Sequence, residues 1–131
     1  MTQPDQKRAT WDRADKITFL VVSGIGLATW LGVALFYGVR EAWDAPAFFP
    51  IAVPLMIVVP GIAGAIRPNT FPLWGFAFVL PWPIAMMIMS PISDAFGGGL
   101  FFMVILGVFS TLGAFAGWCL RMISDWVRRK V

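Results

Sequence analysis

The sequence predicts an all-α integral membrane protein: a four-transmembrane-helix bundle of up-down-up-down topology, N-in/C-in, with a kinked central hairpin. Three observations carry that prediction. Hydrophobic residues fill 59% of the 131 positions and charged residues 13%, which is more apolar surface than one small soluble core buries. Uncharged apolar runs occupy 17–39, 47–66, 71–89 and 100–120, each near the roughly 20 residues that cross a bilayer core. Lys7, Arg8, Arg13, Lys16, Arg67, Arg121, Arg128, Arg129 and Lys130 lie at one end of these runs and Arg40 alone at the other. By the positive-inside rule, both termini and the 67–70 turn then face the cytoplasm.

Residues 1–16 read as a cytoplasmic tail, and 17–120 as the transmembrane domain. The first run is longer than the apolar core of a signal peptide, so it is expected to be retained as a helix. Thr10 is the expected N-cap, with Trp11 as interfacial anchor and Asp12 four residues ahead of Lys16. The connections at 40–46, 67–70 and 93–99 are short, so each helix returns antiparallel to its predecessor. Trp43, Trp118 and Trp126 also fall at span ends, where amphipathic rings prefer the headgroup layer, while Trp30, Trp74 and Trp82 lie deeper. Residues 121–131 read as a basic amphipathic cytoplasmic tail, a continuation of the fourth helix that turns along the membrane surface.

What is missing narrows the chemistry. Histidine is absent and Cys119 is the single cysteine, which removes the commonest ligands for haem and zinc and the usual general base near neutral pH. No span contains a charged side chain. No cofactor, metal or catalytic residue is therefore expected, and the sequence reads as a non-enzyme. The basic residues sit at span ends rather than on one polar face, so no nucleic-acid partner is expected.

Three features remain as candidates for function. Pro54 and Pro60 in the second span, and Pro81 and Pro83 in the third, each remove a backbone hydrogen bond and kink a helix, freeing carbonyls that need partners. Such breaks form a groove or solute path in transporters, but no polar or charged side chain accompanies these prolines, so packing shape is the preferred reading. Gly24, Ala28 and Gly32 form a small-residue stripe on the first span, and Gly113 and Gly117 make G-x-x-x-G on the fourth. These faces let helices approach closely, within the monomer or between subunits. Arg121, Arg128, Arg129 and Lys130 are expected to contact anionic lipids. Asp94-Ala95-Phe96-Gly97-Gly98-Gly99 reads as a turn rather than a phosphate loop.

The run Ala45-Pro46-Ala47-Phe48-Phe49-Pro50 resembles the start of the second span in the small four-helix membrane subunit of tripartite tricarboxylate transporters. The likeness covers about the first two spans, and the proline-rich third span departs from it; what it implies is an accessory subunit. The expected function is thus a non-enzymatic accessory or scaffold subunit of a larger membrane complex, in the bacterial cytoplasmic (inner) membrane. Its partners would be other integral membrane subunits and anionic lipids. The alternative is a homo-oligomeric channel or carrier for an ion or small solute, lined by helix breaks and by Ser90, Ser110 and Thr111.

Overall fold

The computed structural model describes residues 11–89 and 99–130. Thr10, Ser90, Asp94 and the basic pair Lys7 and Arg8 lie outside them. Four helical segments are long and apolar enough to cross a membrane, and among the described residues there is no strand.

Helix α1 spans Arg13–Tyr37. It is capped by Asp12, where the sequence suggested Thr10. The Asp12 carboxylate accepts from the Asp15 backbone N–H at 2.7 Å, and the Asp15 carboxylate accepts from the Asp12 N–H at 3.2 Å. This reciprocal arrangement satisfies two amides that have no partner inside the helix. The helix ends at Gly38, whose φ of 64° is a left-handed conformation that disfavours a side chain. A single 3-10 turn, Ala42–Asp44, leads to α2, Phe48–Ile66, which runs unbroken through Pro54 and Pro60.

A second 3-10 turn, Pro68–Thr70, starts the third span. That span is two helices, α3 (Phe71–Val79) and α4 (Pro81–Met89), separated at Leu80. Proline at position 81 supplies no N–H and crowds the turn before it, which accounts for the break. The last helix, α5, covers Leu100–Arg128 without interruption. Its 29 residues correspond to about 44 Å at 1.5 Å per residue. The expected turn of residues after 120 along a membrane surface is not seen, because no proline or glycine interrupts the helix there.

Close contacts fix how these helices run. A Cβ at Gly113 would lie 2.4 Å from Ile57 O and one at Gly117 1.8 Å from Gly61 O, so α2 and α5 advance together as parallel neighbours. Gly75 faces Thr111 while Gly107 faces Phe76 and Val79, so α3 and α5 are antiparallel. Helix α5 packs on α2 and α3, and α1 packs on α3, α4 and α2, whereas α1 and α5 barely meet. The hairpin is therefore the centre of the bundle. Trp30, Trp74, Trp82, Phe48, Phe78, Met56 and Met86 are fully buried there. Trp30 stands edge-on to Trp43 and Phe48, with ring centroids 5.0 and 5.6 Å away, an arrangement that matches the negative face of one ring to the positive edge of another.

Candidate functional site

The proline hairpin is the strongest functional candidate in the sequence, and two of its freed carbonyls have side-chain partners. An α-helical carbonyl accepts from the N–H four residues on, so Pro60 leaves Met56 O free and Pro81 leaves Ala77 O free. Ser110 on α5 donates its hydroxyl to Met56 O at 2.9 Å in a fully buried position. Ser23 on α1 donates to Ala77 O, also at 2.9 Å. Each outer helix thus supplies the proton that a proline of the hairpin cannot.

The same small-residue spacing serves both contacts. Three residues after each serine comes a glycine, Gly26 after Ser23 and Gly113 after Ser110. A Cβ at Gly26 would stand 1.8 Å from Phe78 O and one at Gly113 2.4 Å from Ile57 O. Without these glycines neither serine could reach a backbone carbonyl of the neighbouring helix. A third bond, from Trp82 Nε1 to Gly26 O at 2.8 Å, is buried beside the first contact. Ser110 therefore lines no open path. Thr111 bonds the carbonyl one turn back on its own helix, Gly107 O, at 2.8 Å. Of the remaining hairpin prolines, Pro54 is exposed and Pro83 is half-buried.

The two glycine faces have different surroundings. Gly113 and Gly117 lie against the backbone of α2. Gly24, Ala28 and Gly32 lie on the outside of α1, and a Cβ at Gly24 or Gly32 would meet nothing within 4 Å. Ala28 and Gly32 line a shallow apolar groove of about 340 Å³ with Val33, Phe36, Ile51 and Leu55. The glycine of α1 that does pack inside the chain is Gly26, which lies off the stripe of residues four apart.

At the Arg67 end sits a polar cluster that sequence reasoning missed. Arg67 Nε donates to Asp15 at 2.8 Å, and its terminal nitrogen bridges to Asp12. Asp15 is buried, and Trp11, Asn69 and Thr70 complete the rim of a cavity of about 480 Å³. The backbone amide of Asp15 and then the Arg67 guanidinium hold the Asp12 carboxyl below its ordinary value of 3.8. The two carboxylates raise the Arg67 pKa in turn, Asp15 most. Two acids three residues apart before an apolar run signal a capping box, and pairing Asp12 with Lys16 concealed it. Among the described residues no three His, Cys, Asp or Glu side chains are grouped to hold a metal.

The basic tail is partly engaged with itself. Arg121 pairs with Asp125 at 3.0 Å, and Lys130 Nζ lies 3.9 Å above the Trp126 ring. Arg128 and Arg129 are exposed, as are Met122, Ile123, Trp126 and Val127.

Fold and site together define an all-helical protein with four apolar helical segments of membrane-spanning length, joined by hydrogen bonds from outer-helix serines to proline-freed carbonyls. No protein family, no curated protein and no solved structure matches the chain. The likeness at Ala45 to Pro50 is thus not joined by any match over a longer stretch.

Proposed function

We propose that this is an integral protein of the bacterial cytoplasmic membrane, with both termini inside, acting as a non-enzymatic accessory or scaffold subunit of a larger membrane complex. The observation that carries this reading is where the polar groups at membrane depth are used. Ser23 and Ser110 satisfy Ala77 O and Met56 O inside the chain, and no charged side chain lies within the four apolar runs. A moving ion or a reacting group at that depth needs polar solvation, which is costly to keep there without a function.

What the chain does offer is surface. Large apolar side chains such as Leu35, Phe36, Ile88 and Phe101 are more than two-thirds exposed, which suits lipid or another apolar helix and not water. The uncovered stripe Gly24, Ala28 and Gly32 would let a helix of another subunit approach α1 closely. Arg128 and Arg129, with Lys130 beyond them, would meet anionic headgroups at the inner face, while Arg121 shares its charge with Asp125. A channel or carrier lined at Pro60 or Pro81 would need Met56 O, Ala77 O or the Ser110 hydroxyl to face a path, and these three groups are paired with one another or with Ser23.

Affinity capture of the tagged protein in mild detergent, followed by mass spectrometry, tests the reading. Recovery with other membrane subunits in fixed ratio supports it. A protein that purifies alone and gives selective solute flux in liposomes replaces it with the channel.

A further inference from the structure

The break in the third span at Leu80 is bridged from outside by one helix. Ser23 bonds Ala77 O on the α3 side of the break, and Gly26 O accepts from Trp82 Nε1 on the α4 side. These two anchor points are three residues apart, on one face of α1. From this geometry we propose that Leu80 and Pro81 form a hinge within the third span, that α1 is its splint, and that the Ser23 hydroxyl is its latch.

The chemistry of serine gives the latch two states. A helical serine hydroxyl donates equally well to the carbonyl one turn back on its own helix, which for Ser23 is Phe19 O. Turning there keeps the hydroxyl bonded but leaves Ala77 O with no donor, since Pro81 has no N–H to return to it. An unpaired carbonyl in apolar surroundings is unfavourable, so the closed latch is the ground state and the open one a minor state. Release removes the hydrogen bond between α1 and α3 and leaves α3 held to α1 by packing alone, at Gly26 and Phe78, while Trp82 keeps α4 hydrogen-bonded to α1. The two halves of the span then bend about Leu80.

Pro60 has the same kind of partner but is not a hinge. Helix α2 is continuous through it, and Ser110 is wholly buried between glycines that touch the α2 backbone on one side and α3 side chains on the other. Motion there would have to open the α2–α5 crossing, where Gly113 and Gly117 both lie against the α2 backbone. The hinge is confined to the third span because there the helix is already interrupted and α4 has α1 as its main support.

Distances across the hinge test this. Leu73 on α3 and Ile88 on α4 are exposed and lie about 22 Å apart along the span, a separation that pulsed electron spin resonance reads. With Cys119→Ser as background and the full chain in nanodiscs, labels at these positions should give one narrow distribution. Ser23→Ala should add a second population, Ser23→Thr should not, and Ser110→Ala should leave the distribution unmoved. Pro81→Ala restores an N–H to bond Ala77 O, so Ser23→Ala combined with it should return a single narrow peak. If Ser23→Ala alone does not fold, Pro81→Ala should rescue it. A distribution indifferent to Ser23→Ala, equal broadening in both backgrounds, or failure of that rescue overturns the hinge.

Discussion

Ser110 donates a 2.9 Å hydrogen bond to Met56 O, the carbonyl that Pro60 four residues on leaves without its helical partner. The contact is fully buried. It links a residue that breaks the local rules of α2 to one on another helix that compensates, so each has meaning only beside the other.

That linkage predicts non-additive mutations. Ser110→Ala should destabilise the protein by about 1–3 kcal/mol, the usual result of leaving a buried acceptor unpaired. In a Pro60→Ala background the new backbone N–H takes over Met56 O, and most of the loss should disappear. Thermal unfolding in detergent of the four proteins in this cycle measures the coupling. Additive losses would mean that Ser110 contributes only packing.

Where Gly117 crosses Gly61, a Cβ would lie 1.8 Å from a backbone oxygen, and at Gly113 the nearest oxygen is 2.4 Å away. Backbone cannot step aside as a flexible side chain does. Gly113→Leu and Gly117→Leu should therefore lower the detergent melting temperature well beyond Leu100→Ala, whose side chain is exposed. Losses of about 1–3 kcal/mol or more are expected at the glycines and under about 1 kcal/mol at Leu100. Equal effects at all three sites would contradict the crossing.

Length and charge made the four apolar segments legible, because a bilayer demands about 20 residues whatever the details of packing. Partners were less legible. Gly24, Ala28 and Gly32 recur every four residues, yet Gly26 is the one that touches Phe78; periodicity marks a face but not the direction it points. The prolines announced freed carbonyls, but in the sequence Ser110 reads as the lining of a path and Ser23 does not stand out, because a lone serine in an apolar run does not say which carbonyl it answers. Repetition was the available clue: Ser-x-x-Gly occurs at 23–26 and again at 110–113. Asp12 and Asp15 meet Arg67 more than fifty positions away, a contact that depends on the start of α1 and the end of α2 lying at the same level.

The Arg67 cluster gives a pH dependence with a definite sign. Asp12 has a folded pKa below 3.8, so its ionised form favours the folded state. That contribution is complete above the ordinary carboxyl range and is lost as pH falls below about 4 toward the lowered value. Arg67 is shifted upward and stays protonated throughout, so this acid limb belongs to Asp12. Arg67→Gln should flatten the stability profile between about pH 5 and pH 3 relative to the parent. An unchanged acid limb would place its origin elsewhere.

Orientation rests on the basic residues, nine against one. Alkaline phosphatase fused after Val131 should remain inactive, and the same enzyme inserted between Arg40 and Glu41 should be active, because it folds only outside the cytoplasm. Activity of the C-terminal fusion would invert the topology, and with it the assignment of Arg128, Arg129 and Lys130 to inner-leaflet lipid.

The two glycine faces also separate folding from assembly. A Cβ placed at Gly24 or Gly32 would meet no atom within 4 Å, in contrast to the crowded Gly113 and Gly117. Their smallness therefore does nothing for the isolated chain, where leucine would be accepted and would even suit lipid. If α1 presents this stripe to a helix of another subunit, a large side chain there holds the two backbones apart and removes the close contact on which such association depends. Gly24→Leu and Gly32→Leu should thus keep the parent stability within about 0.5 kcal/mol, as for other exposed substitutions. In the capture experiment the same variants should lose their co-purifying subunits. A variant that melts early would place Gly24 or Gly32 inside the fold. One that melts normally and still brings down the same partners in the same ratio would show that the stripe faces lipid, and the contact that holds the complex would then have to be sought on another face.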